Sequence, residues 1–307
     1  MSAYEALAGS YDSLTYDIPY EEMLTYMEAL LQRHNVRPET VLDLACGTGS
    51  MSVLLAKRGY RVIAADLSED MLAVASEKAS ELEENFPLFI CQRMERLRLP
   101  YAVDWVVCCL DSLNYVTEPE KCREALKRVH DSLSPGGALI FDINSEEKLK
   151  GLDGQVFLDE NDDTYCVWRA EFDREENICY YGMDIFQRDG DLWQRSFEEH
   201  REYAYSVEQL TEYLREAGFT TIEIYADRSF EAPKAGEQRI YFYAGRRRYQ
   251  APCPSCRPAG KFSACSGFHT DNQSDPYSRK SADPESVSPM RSRNSCRRCP
   301  AGPRRRW

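Results

Sequence analysis

No apolar run in this 307-residue chain approaches the roughly 20 residues that a bilayer-spanning helix needs, so a transmembrane segment is not expected. The N-terminus, Met1-Ser-Ala-Tyr-Glu5, lacks a basic stretch followed by an apolar one. No secretory signal is therefore expected, and the expected address is cytoplasmic. No internal repeat is evident. Positive charge is scarce over most of the length. Residues 246–307 hold 14 Lys+Arg against 4 Asp+Glu, which leaves 24 against 47 in residues 1–245. So acidic a body is a poor match for a phosphate backbone, which is held by Lys and Arg. A small-molecule partner is favoured over nucleic acid, and no membrane partner is expected.

Large apolar residues are in turn scarce in the tail, residues 249–307, where no 2-fold or 3.6-fold apolar pattern can be traced. The expected organisation is one domain over 1–248 followed by a disordered basic tail rich in Pro, Ser and Cys. Cys253, Cys256, Cys296 and Cys299 form two CxxC pairs, a pattern that suits zinc thiolates, but 39 residues separate them, more than the usual spacing. Zinc binding, contact with nucleic acid or an acidic partner, and an appended extension of no function all remain open for this tail. No other metal ligands are assigned. The seven cysteines of residues 1–248, Cys91, Cys108 and Cys109 among them, lie mostly in apolar runs and read as buried free thiols. Of the four histidines, His34 and His130 fall in helical patterns at expected surface positions.

Within 1–248 the pattern alternates. Helix is expected over 3–34, with a break at Pro19. Strands are expected at 41–45, 61–65, 88–91, 103–110 and 138–143, with helices at 50–58, 69–83 and 118–132 between them. Gly59 stops the first of these helices. Ser68 is placed to cap the second, and Thr117-Glu-Pro-Glu120 reads as a capping box for the third. A turn is expected at Ser134-Pro-Gly-Gly137. Such alternation specifies a parallel sheet with helices on both faces. Residues 166–172, 178–187 and 192–205 read instead as an antiparallel meander. Helix returns at 206–217, with Ser206 and Gln209 as a second capping box, and strands at 220–225 and 239–244 close the domain.

The most informative segment is 41–50, Val-Leu-Asp-Leu-Ala-Cys-Gly-Thr-Gly-Ser. It is a strand running into a loop of almost no side-chain bulk and then a helix, so a ligand can reach backbone N–H groups at a helix N-terminus. A GxG alone suits several nucleotide cofactors. Asp66, at the end of the second strand, is placed to accept hydrogen bonds from two ribose hydroxyls.

With Asp43-Leu-Ala-Cys-Gly-Thr-Gly49, Asp66 and Leu133-Ser-Pro-Gly-Gly137 in register, residues 36–145 and 206–245 resemble a class I S-adenosylmethionine-dependent methyltransferase. The resemblance covers about two thirds of the chain. It implies a Rossmann-like α/β fold, a mostly parallel seven-stranded sheet whose last strand is antiparallel, here with an antiparallel β insertion at 145–205 facing the substrate. The implied cofactor is S-adenosylmethionine. Backbone at Ala45, Cys46, Gly47 and Gly49 would face its methionine portion, Asp66 its ribose, and Leu67 and Met71 its adenine. Gln92, Arg93 and Met94 follow the third strand, where relatives often carry an acid that accepts the adenine amino group. Arg93 departs from that pattern, so Gln92 or a backbone carbonyl would replace the contact, with the Met94 N–H serving the ring. Leu110 and Asp111 would complete the cofactor site.

The acceptor should meet the cofactor at Asp111-Ser-Leu-Asn-Tyr115. The Pro-Pro-aromatic motif of amino methyltransferases acting on DNA bases is missing there, which favours a small-molecule acceptor. Each candidate has two readings. Asp43 braces the loop or touches the ligand. Asp111 contacts a ligand or starts a turn. Asn114 and Tyr115 contact the acceptor or pack the loop. His200 is an acceptor-side base or a hydrogen-bonded strand histidine. Tyr11 and Tyr16 form a lid or pack against the following helix. Methyl transfer from a sulfonium is an in-line displacement, in which positioning and water exclusion supply most of the acceleration. The implied function is transfer of a methyl group from S-adenosylmethionine to a small molecule. The rivals are a cofactor-binding protein without transferase activity and a nucleic-acid methyltransferase guided by the basic tail.

Overall fold

A computed structural model describes residues 11–248. The expected helix over residues 3–10 and the tail cysteines lie outside these residues. Seven strands form the main sheet: β1 (Thr40–Leu44), β2 (Arg61–Asp66), β3 (Leu88–Cys91), β4 (Val103–Cys108), β5 (Leu133–Asn144), β10 (Thr221–Ala226) and β11 (Arg239–Gly245). Their spatial order is β10-β11-β5-β4-β1-β2-β3. All neighbours pair in parallel except around β11, which runs antiparallel to both β10 and β5. The expected parallel sheet with an antiparallel last strand is what the structure contains.

The buried strands explain the double-sided core. In β1, Leu42 and Leu44 face a cluster that includes Leu126 and Val129 of α5 (Pro119–Ser132) and Leu210 and Leu214 of α7 (Val207–Ala217). Val41 faces the other side, with Leu24 and Met27 of α2 (Tyr20–Arg33) and Leu55 of α3 (Ser50–Lys57). A parallel strand covered on both faces reads as a continuous apolar run because alternate residues enter different cores.

Several boundaries differ from the sequence reading. The Ser134–Gly137 turn is absorbed into β5, which begins at Leu133 and carries a register shift opposite Val103 and Trp105. Gly137 is required there, because a Cβ would sit 2.7 Å from the Asp104 carbonyl oxygen. The N-cap of α5 is Glu118 and makes no side-chain cap bond, so Thr117 does not close a capping box. Ser206 does cap α7 by accepting from Gln209 N at 3.1 Å, while the Gln209 amide turns to the Tyr213 hydroxyl. Neither His34 nor His130 is free on the surface. His34 stacks on Tyr243 at 3.7 Å, and His130 packs edge-on against Phe219. Cys91, at the end of the edge strand β3, is exposed.

The meander forms a second sheet of β6 (Val156–Glu160), β7 (Thr164–Asp173), β8 (Ile178–Asp189) and β9 (Leu192–Tyr203), in that order. Its inner face buries Cys166, Ala170, Tyr181, Met183, His200 and Glu202. The edge strand β6 was not legible in the sequence. Its five residues are all exposed, so no alternation marks it. Short α6 (Glu146–Gly151) links the two sheets, capped by Ser145.

Candidate functional site

The strand order reverses between β1 and β4, and in open α/β sheets the ligand crevice lies beyond the carboxyl ends of the strands at such a point. A cavity of about 440 Å³ occupies that place, within the range of small-molecule sites. Tyr11, Asp43, Ala45, Cys46, Gly47, Asp66, Leu67, Met71, Gln92, Arg93, Met94, Leu110 and Tyr115 all line it. The residues expected to form the site are thus brought together, except Gly49, Asp111, Asn114 and His200, which lie outside the lining.

The loop after β1 is built around two carboxylates. Asp66 accepts from Gly47 N through Oδ2 and from Ser68 N through Oδ1, both at 2.9 Å, which fixes it between the glycine loop and α4 (Glu69–Ala79). Burial raises its carboxyl above the usual range, against those two backbone bonds. Each oxygen keeps a lone pair for a further donor. Asp43 is fully buried, accepts from Ser52 Oγ at 2.5 Å, and is pushed up to about 7 by burial. It ties β1 to α3, the bracing role, and it also lines the cavity.

Gly47 and Gly49 have different reasons to be glycine. Both take positive φ, at 53° and 77°. A Cβ on Gly47 would meet no protein atom within 4 Å, whereas one on Gly49 would lie 2.8 Å from Ala75 Cβ. Gly49, expected at the ligand, instead lets α4 approach the start of α3.

At the far end, Leu67 and Met71 face Met94 in a short 3-10 turn (Met94–Arg96) that follows β3. Gln92 lines the cavity with each end of its amide already bonded once. Its Oε1 accepts from Arg98 N at 2.8 Å and its Nε2 donates to Arg98 O at 3.2 Å. Arg93 is paired with Glu95 at 2.7 Å, and both line the cavity.

The other end is closed by Tyr11 of α1 (Tyr11–Leu14), Tyr20, Leu110, Ser112 and Tyr115. Burial, then the charge of Asp111, lifts the Tyr11 phenol to about 12. Asp12 anchors α1 by accepting from Thr48 Oγ1 at 2.7 Å and pairing with Lys78 at 2.7 Å. Tyr16 is 85% exposed and takes no part in closure.

Behind this end lies a buried polar network that the sequence reading missed. Leu110 and Asp111 both adopt positive φ, a conformation costly for non-glycine residues and kept only where neighbours impose it. Asp142 imposes it by accepting both backbone N–H groups, at 2.8 and 3.1 Å. Arg239 then bridges Asp142 and Asp111, the latter at 2.7 Å. Asn144 extends the network, donating to Glu202 Oε2 at 2.8 Å and accepting from Lys148 Nζ at 2.7 Å. Burial pushes Glu202 up to about 8, and the charge of Asp111 adds to the rise. Apart from Asn144 and Lys148, which are neighbours in sequence, 31 to 128 residues separate these partners, so no local motif could have announced them.

Asn114, expected as an acceptor contact, is fully buried. Its Nδ2 donates to the carbonyls of Asn144 and Tyr203, and its Oδ1 accepts from Asn144 N. An amide spent in this way braces the loop after β4 against β5 and β9. His200, on β9, bonds Glu198 at 3.0 Å and meets the Tyr115 ring edge-on at 6.0 Å. It touches the cavity only through Tyr115.

A ligand with a ribose, an apolar-flanked base and a charged amino-acid end fits this lining: a buried carboxylate at the β2 end, Leu67, Met71 and Met94 beyond it, and backbone of the glycine loop on the other side. No helix among the described residues is long and apolar enough to cross a membrane. A methyltransferase-domain family matches residues 41–137. A protein of Geobacillus sp. (strain WCH70) named as a methyltransferase is 33% identical over 244 residues, 78% of this chain and 98% of that one. An S-adenosylmethionine-dependent methyltransferase from Clostridium acetobutylicum is 29% identical with a TM-score of 0.71, covering 80% of this chain and 99% of its own. A ubiquinone biosynthesis O-methyltransferase of Coxiella burnetii is 31% identical over 118 residues, 38% of this chain and 47% of its own. With the glycine loop, the carboxylate at the end of β2 and the sheet topology all in agreement, the chain belongs to the class I S-adenosylmethionine-dependent methyltransferases.

Proposed function

We propose that the enzyme methylates a small-molecule acceptor that reaches the cavity at the Tyr115 end. The observation that carries this reading is the enclosure of that end by Tyr11, Tyr20, Leu110, Ser112 and Tyr115, drawn from two separate segments. A pocket walled by aromatic side chains suits a small organic acceptor better than a polymer laid across an open groove. The acidic balance of residues 1–245 points the same way, as does the partial likeness to a quinone-pathway enzyme.

S-adenosylmethionine supplies an electrophilic methyl on a sulfonium, and the thioether leaves without needing a proton. The work left to the protein is to hold and orient. Asp66 would accept the ribose hydroxyls while remaining bound to Gly47 and Ser68. Leu67, Met71 and Met94 would flank the base. Tyr11 and Tyr20 would exclude water, which strengthens every polar contact inside. Tyr115 would touch the acceptor, and His200 would act through it as a positioning residue. Asp111, held by Arg239, would fix the Leu110 backbone at the methyl end.

The test is to incubate the full chain with S-adenosylmethionine and a panel of quinols, amines, hydroxy acids and RNA, following S-adenosylhomocysteine release. Turnover on a small acceptor, undiminished by RNA, supports the reading. Turnover on RNA alone would replace it, and binding without turnover on any acceptor would favour a non-transferring cofactor-binding protein.

A further inference from the structure

The second sheet has two faces, and only one of them is spent on the core. Along β7, β8 and β9 the residues that alternate with the buried ones point the other way. On that outer face Leu158 is 60% exposed and Phe197 52%, and Val167 and Phe186 lie between strands there half-buried. The register sets Leu158, Val167, Asp184 and Phe197 side by side in one row across all four strands. Single exposed apolar residues mean little, but a row of them on one sheet face marks an interaction surface.

A partner can cover such a face only by answering its charges. Asp184, in the middle, has its side chain only 5% exposed, because Arg169 and Arg195 both close on it. Over the middle of β7, β8 and β9 the outer face carries Arg169, Arg195 and Arg201 against Glu171, Asp184 and Glu199. The signs balance, so the face selects neither a polyanion nor a polycation. The same register shows what does answer it. With a second copy turned about a two-fold axis running along β8, each β7 residue faces the β9 residue of its own row. Arg169 then meets Glu199 of the second copy, and Glu171 meets Arg201 of the second copy. Val167 meets the facing Phe197, Tyr165 meets the facing Arg195, and Phe186 meets its own counterpart across the axis. Opposite charges, an apolar pair and a ring beneath a guanidinium are all favourable contacts.

We propose that the outer face of the second sheet is a homodimer interface, in which two copies pack β7, β8 and β9 face to face about that axis. Aligned packing of two sheets is a standard arrangement, with strand directions within about 30° of each other. Strands of 10 to 12 residues give a face of about 35 by 14 Å, so two copies bury roughly 1,000 Å² before side-chain relief is counted. That reaches the size of a specific interface. Aromatic and arginine side chains, which dominate this face, are the types enriched in such interfaces.

Sedimentation equilibrium of the full chain, at micromolar concentration and with the thiols kept reduced, tests it. The expected mass is twice the 35.4 kDa of one chain. Phe197→Glu sets a carboxylate against the facing Val167 and should leave a monomer. Glu171→Arg sets like charges across the axis twice and should weaken association by at least about tenfold. Adding Arg201→Glu to Glu171→Arg restores opposite charges and should recover association relative to Glu171→Arg alone. The three positions are exposed, so far-ultraviolet circular dichroism should be unchanged in every variant. A monomeric native chain, a dimer untouched by either single variant, or no recovery in the double variant overturns the proposal.

Discussion

Alanine at position 49 should damage the protein by two separable routes. The backbone there has φ of 77°, and an L-residue in the left-handed region costs about 1–2 kcal/mol. The added Cβ would also lie 2.8 Å from Ala75 Cβ and 3.2 Å from Ala75 Cα. Neither atom can swing away, because Ala75 is fully buried inside α4, and overpacking of this kind costs about 1–3 kcal/mol. Gly49→Ala is therefore expected to lose about 2–5 kcal/mol, a large share of the ~5–15 kcal/mol that holds a typical domain together. Urea unfolding of the full chain, followed by far-ultraviolet circular dichroism, measures it. Ala75→Gly alone should cost about 1 kcal/mol for glycine inside a helix. The double variant should be more stable than the sum of the two by about 1–3 kcal/mol, because the clash with Cβ is gone and only the φ cost and the 3.2 Å approach to Cα remain. A single-variant loss below about 0.5 kcal/mol, or strict additivity in the cycle, would refute the reasoning, since both contradict the close approach of α4 to the loop.

Other consequences are equally direct. Asp142→Ala leaves the half-buried Arg239 with Asp111 and Asn144 and releases the Leu110 and Asp111 N–H groups, so a loss of about 3 kcal/mol in the same unfolding assay is expected. Lys78→Ala removes the ion pair to Asp12 while leaving the Thr48 bond, and so loosens α1 over the cavity; cofactor affinity measured by calorimetry should fall about two- to fivefold, with stability changed by under ~1 kcal/mol. The pH dependence has a definite sign. Asp43 titrates at about 7 and Glu202 at about 8 when folded, against 3.8 and 4.5 when free. Their folded forms bind the proton more tightly than the unfolded chain does, so the stability they lend is complete below pH ~4 and is lost as pH rises through 7 and 8. Unfolding free energy measured from pH 5 to 8.5 should carry this downward contribution, and Asp43→Asn should remove the part that ends near pH 7.

How much of this was readable in the sequence depends on how far apart the cooperating residues lie. The glycine loop, Asp66 and the Ser68 cap fall within 28 consecutive residues (41–68), and each speaks through local geometry: a strand end, a φ-permissive turn, a helix start. Residues 41–50 and Asp66 were accordingly placed as found. The parallel sheet followed from the alternation of elements, and its seven strands with an antiparallel last one from the family resemblance. What stayed hidden depended on distant partners. Nothing near Asp142 or Glu202 shows that Arg239 and Asn144 will meet them. Asn114 looked like a loop amide open to a ligand until β5 and β9 consumed its hydrogen bonds. Gly49 looked like Gly47, and only the packing of Ala75 separates their duties. Strand β6 lacks a buried face, and with it the alternation by which strands are recognised. Arg93 stood out in the sequence as a departure, but its ion pair with Glu95 appeared only in the structure.

The most direct test of the account is calorimetric titration of the full chain with S-adenosylmethionine, native protein beside Asp66→Ala. The account predicts one saturable site in the native protein and at least about tenfold weaker binding in the variant, the loss expected when hydrogen bonds to a carboxylate are removed. Absence of binding by the native protein would contradict the cofactor assignment, and equal affinity in the variant would contradict the placement of the ribose at Asp66.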